Sequence, residues 1–141
     1  MSSFLDEPVR GFLDQLAART PAPGGGGAAA VTGAMAAGLV AMAARFSAAR
    51  LPGAGELADQ ADELRRRLAQ LAEEDAQAYA AVLASHGPER KKALLGAAMI
   101  PLEIAGIGAR LALVAARLAC TRLSLAAHRS CNDLAHDRIR S

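Results

Sequence analysis

The sequence predicts an all-α fold, a helical bundle packed around one central Gly/Ala-rich helix. Three observations carry that reading. Of the 141 residues, 52% are hydrophobic but only 3% are aromatic. The core must therefore be built from Ala, Leu and Met, which suits closely packed helices and not a β-sandwich. Residues 20–44 hold no charge and are mostly Gly and Ala. Leu57, Ala61, Leu64, Leu68, Leu71, Asp75, Ala78 and Val82 recur in alternating steps of four and three, the seam of paired helices.

Size and charge narrow the functional classes. A chain of this length forms one domain and buries about two-thirds of its unfolded surface. The formal charge of +2 is too small for a nucleic-acid surface. Two cysteines, Cys120 and Cys131, make no disulfide scaffold and point to a reducing compartment. Asp6, Glu7 and Asp14 make the N-terminus unlike a signal peptide. A cytoplasmic protein is expected.

The elements follow in order. Phe4, Leu5, Val9, Phe12, Leu13 and Leu16 form a helical stripe, with Asp6 as the expected N-cap and Pro8 in the first turn. Its apolar face is expected to lie on the Gly/Ala helix. Thr20 to Pro23 should be extended, because prolines fix φ and disfavour helix in the residue before them. Gly24 to Gly27 then admit close approach of backbone or ligand. Ala favours helix from about Gly26–Ala28 to near Ala48. The N-terminus of that helix offers free N–H groups to an anion or a carbonyl oxygen.

The glycine run is neither a P-loop, since no Lys-Ser/Thr follows it, nor a dinucleotide fingerprint, since no strand precedes it. An uncharged run this long could span a bilayer. Only Val31, Met35, Leu39, Val40 and Met42 are bulky within it, so no membrane partner is expected.

Leu51 to Gly55 is a break, and a long helix is predicted from about Glu56 to Ser85. Its solvated face should carry the i,i+4 pairs Asp62–Arg66 and Glu63–Arg67. Asp75 stands where the seam calls for Leu. A carboxylate there loses water and favours its neutral form unless a cation is near. It either pairs with an Arg or caps a neighbouring helix, or it moves protons in a pocket. Tyr79, the only tyrosine, lies one turn later.

His86-Gly87-Pro88 starts the last long helix, which should run to about Ala119 with a kink near Ala97–Ile100 before Pro101. Glu103 is a second candidate for an internal carboxylate, against the ordinary alternative of a surface residue. Residues 120–141 change character and read as a frayed or short helical end. His128, Cys131, His136 and Cys120 match no standard zinc spacing, and no metal is expected. The chain thus divides into a helical domain at 1–119 and an atypical tail at 120–141.

Three stretches together resemble the folate-dependent cyclodeaminase/cyclohydrolase family, that of the cyclodeaminase domain of formiminotransferase-cyclodeaminase and of methenyltetrahydrofolate cyclohydrolase. They are FLDQLAARTPAPGGGGAAAVTGAMAAGLVAMAA from Phe12 to Ala44, EEDAQAYAAVLAS from Glu73 to Ser85, and PLEIAGIGARLALVAARLA from Pro101 to Ala119. Their order and spacing agree with the family's.

The resemblance implies an all-helical homodimer. It implies a tetrahydrofolate derivative as substrate, bound near the dimer contact by Gly24, Gly25, Gly26 and Tyr79. It implies a catalytic Asp, which falls on Asp75 as general acid and base, for a lyase or hydrolase step of one-carbon metabolism. Three departures stand out. Gly27 replaces the family's usual Ser, Ser85-His86-Gly87-Pro88 is a shorter replacement for the family's Leu-Pro-Lys segment, and residues 120–141 lack the family's C-terminal helices. The alternative is a non-catalytic helical dimerisation module, a truncated remnant of the family.

Overall fold

The computed structural model describes the backbone of residues 4–140 and the side chains of residues 5–126. After a 3-10 turn at Phe4–Asp6 come α1 (Val9–Ala17), α2 (Gly25–Ser47), α3 (Ala54–Ala84) and α4 (Gly87–Arg140). The fold is all-α, and no strand occurs among the described residues.

Small side chains on α2 let α3 and α4 close on it. The main core joins Ala30, Ala37 and Ala41 of α2 to Leu64, Leu68 and Leu71 of α3 and Ile104, Ile107, Leu111 and Val114 of α4. Gly33 allows the tightest approach, because a Cβ there would meet Leu68 Cδ1 at 3.1 Å. Leu68 is only 1% exposed, and its burial contributes about 1.5–3 kcal/mol. A second cluster of Ala44, Leu51, Ala54, Ala58 and Leu118 closes the other end of the bundle. The α3 seam faces the main core as its spacing dictates, with Ala61, Leu64, Leu68 and Leu71 buried in it.

Punctuation residues set the helix ends. Gly53 takes a left-handed φ of 78° ahead of α3, and Gly87 one of 58° at the start of α4, with Pro88 next to it. Pro101 sits inside α4.

Several expectations are corrected. Pro8, not Asp6, precedes α1, and no side chain caps that helix. α1 buries none of its residues, and Val9 and Leu13 remain exposed. The face of α2 that admits a neighbour is already filled by the Leu and Ile side chains of α3 and α4. Residues 18–23 form successive bends with a cis Ala22–Pro23 peptide, not an extended run. The Thr20 hydroxyl donates to the Ala22 carbonyl at 3.1 Å.

The expected i,i+4 charge pairs give way to other spacings on α3 and to partners on α2 and α4. Asp62 pairs with Arg45 of α2 and with Arg65. Arg67 bridges Glu74 and Glu103. Long arginine side chains reach across a helix contact as easily as along one turn. Residues after Ala119 are not a frayed end, since α4 continues to Arg140. No Gly or Pro follows Gly108 to stop it. The side chains of His128, Cys131 and His136 lie outside the described residues.

Candidate functional site

α2 begins without a capping side chain, because Gly24 stands at its N-cap. The Ala28 N–H bonds to the Gly24 carbonyl at 2.9 Å. The first three helical N–H groups, those of Gly25 to Gly27, have no carbonyl within the helix to serve them. One is satisfied from another element. The Gly27 N–H donates to Asp75 Oδ2 at 2.9 Å, across 48 residues of sequence.

α3 delivers that carboxylate. The seam register turns position 75 toward α2, and Asp75 is partly buried there. Its negative charge meets the positive end of the α2 dipole. The group therefore does from α3 what a Ser or Asp does locally at an ordinary N-cap. Of the two bland possibilities for Asp75, the one realised is the cap of a neighbouring helix, and the partner is backbone, not an Arg.

The glycines divide by their distance from this group. A Cβ on Gly26 would lie 2.2 Å from Asp75 Oδ1, and one on Gly24 would lie 4.0 Å from Oδ2. A Cβ on Gly25 would meet nothing within 4 Å. Pro23 is buried beside them. Tyr79 stands one turn beyond Asp75 with its side chain 46% exposed. The structure thus brings together Gly24, Gly26, Gly27 and Asp75. Gly25 faces open space.

Gly27 is the participant that sequence reasoning left out. The signal was present: four glycines cannot cap a helix, so its N–H groups must find an acceptor elsewhere. Asp75 is the one carboxylate on the facing seam.

Other charges belong to the surface. Glu103 is exposed, not internal, and Arg67 Nε donates to its Oε1 at 2.7 Å. That hydrogen bond, with the cation beside it, holds the Glu103 carboxyl below the usual carboxylate range. Glu103 and then Glu74 raise the Arg67 guanidinium further above its ordinary value. Arg45 and then Arg65 lower Asp62 in the same way.

Two open grooves run along α3 and α4, of about 450 and 600 Å³. They share Glu63, Leu64 and Arg110, and neither is lined by Asp75 or the glycines. No group of three His, Cys, Asp or Glu suited to a metal occurs among the described residues.

Chemically, the site offers one carboxylate fixed by a backbone donor through Oδ2, with Oδ1 beside the Gly26 backbone. The family model described as formiminotransferase-cyclodeaminase matches residues 8–122. A protein of Methylorubrum extorquens named methenyltetrahydrofolate cyclohydrolase is 38% identical over 88 residues, 58% of this chain and 42% of that protein. The match therefore spans less than half the length of that relative. No solved structure matches the chain significantly.

Proposed function

The chain belongs to the formiminotransferase-cyclodeaminase family, and from that membership we propose that it acts on a tetrahydrofolate derivative in one-carbon metabolism, as a formiminotetrahydrofolate cyclodeaminase or a methenyltetrahydrofolate cyclohydrolase. Asp75 is the general acid and base. The observation that supports this most is the Asp75 carboxylate held on the N-terminus of α2 by the Gly27 N–H at 2.9 Å.

In cyclodeamination, N10 of the folate attacks the formimino carbon and ammonia leaves. The proton lost from N10 and the proton gained by the departing nitrogen can both pass through Asp75 Oδ1. In the hydrolytic direction the same oxygen takes a proton from water as it adds to the methenyl carbon. A carboxylate already oriented by a backbone donor loses little freedom on meeting substrate. Gly24 and Gly25 supply backbone against which a flat pterin can lie, and Tyr79 lines its outer edge. No metal is required by this scheme.

The same reading carries a cytoplasmic homodimer with no nucleic-acid or membrane partner. The homodimer alone has support here, an uncovered apolar stripe on α2, where Met35, Leu39, Met42 and Phe46 follow one another at helical spacing and Phe46 is 83% exposed. A second copy would cover that stripe.

Addition of the protein to methenyltetrahydrofolate tests the activity directly. Loss of the methenyl absorbance above the spontaneous rate is expected, or its formation when the formimino compound is supplied. No change in either direction, with folded protein, rejects the activity.

Two other readings have support of their own. The uncovered apolar stripe on α2 is equally compatible with a non-catalytic dimerisation module. Calorimetric titration with folate separates it, since such a module gives no heat. Gly25–Ser47 and Gly87–Ala126 are long and apolar enough to cross a bilayer. Recovery of the protein only with membranes would favour that assignment over a soluble dimer.

A further inference from the structure

Gly26 has ordinary right-handed backbone, since the positive φ values among the described residues belong to Gly53 and Gly87. Nothing in its conformation demands glycine. What demands it is space. A Cβ there would stand 2.2 Å from Asp75 Oδ1, 2.6 Å from Cγ and 2.7 Å from Oδ2. All three atoms of the carboxyl group fall inside the contact distance of a methyl. The carboxylate occupies the volume that any other residue would fill with its own side chain.

We infer that Gly26 is a positioning residue: its missing side chain is the seat that lets the Asp75 carboxylate reach the Gly27 N–H through Oδ2 while Oδ1 rests against the Gly26 backbone. This rests on the reading of Asp75 as the acid–base group. It changes the part that Gly26 plays, from a surface for folate to a holder of the acid. The consequence is directional. A methyl at position 26 must push the carboxylate off the helix end, because the atoms it meets belong to a short side chain with only two torsions. The Gly27 bond is then lost, and the reacting oxygen moves by an ångström or more.

A double-mutant cycle between Gly26→Ala and Asp75→Ala reads this coupling through thermal stability, which needs no enzyme activity. Gly26→Ala alone is expected to lower the melting temperature by about 5 °C. In the Asp75→Ala background the same change meets no carboxyl group and should be neutral or stabilising, as Gly96→Ala in α4 should be. Should Gly26→Ala fail to fold while the double variant folds, the coupling is equally established.

Kinetics supply the second readout. Gly26→Ala is expected to lower kcat by about a hundredfold, the cost of an ångström of misplacement, with KM changed much less. A melting loss of the same size in both backgrounds overturns the inference. So does failure of both the single and the double variant to fold, or a native kcat in Gly26→Ala. If the wild type turns over no folate at all, the proposed activity falls, and the melting-temperature cycle alone decides whether Gly26 seats Asp75.

Discussion

A single residue, Asp75, carries most of the functional argument, and its anomaly was legible before any coordinates. A carboxylate in a Leu position on an otherwise regular seam must find a partner, and the spacing says so. The identity of the partner was not legible, because it is a backbone N–H 48 residues away. Asp75→Ala should cost about 1 kcal/mol in denaturant unfolding, the usual cost of a lost cap.

Of the two readings of Glu103, the surface one is realised. An apolar local sequence says nothing about which way one side chain on a long helix points, and Arg67 draws it to the surface. With its folded carboxyl depressed, the Glu103 pair stabilises fully above the ordinary value of 4.5 and is lost as pH falls through the lower folded value. Arg67→Ala should therefore be less stable than wild type near pH 7 and converge with it once pH falls below the depressed Glu103 value. Added salt should shrink the difference, since the pair is solvent-facing.

At the scale of the elements, boundaries were the best-read feature. Gly and Pro clusters at 21–27, 51–55 and 86–88 mark the helix starts within one or two residues. The reach of α4 was not readable, because a change from apolar to mixed composition alters burial without interrupting helical hydrogen bonding. The docking of α1 was not readable either, since an amphipathic stripe reveals that a face wants cover but not where the cover is. Contact between α2 and α3 depends on Leu68 seated over Gly33. Leu68→Ala should cost about 2–5 kcal/mol. Gly33→Leu should cost comparably by overpacking, about 1–3 kcal/mol. Guanidinium titrations followed by far-ultraviolet dichroism would measure both.

For the molecule as a whole, the all-α class followed from composition and periodicity alone, while the extent of uncovered apolar surface did not. Met35, Leu39 and Phe46 on α2 and Leu95, Met99 and Leu102 on α4 are more than half exposed. Sedimentation equilibrium should show association that rises with protein concentration, and Phe46→Glu should shift it toward the monomer without unfolding the chain. A wild type that stays monomeric at high concentration would remove the dimer from the proposal.

The central claim is that one seated carboxylate moves the protons. It is tested most directly by the initial rate of methenyl absorbance loss in Asp75→Asn, compared with wild type at matched helical content. The isosteric amide keeps an acceptor for the Gly27 N–H but cannot take a proton. The account predicts a fall of about a hundredfold or more. A rate within about twofold of wild type, a difference under 0.5 kcal/mol in barrier, would contradict it.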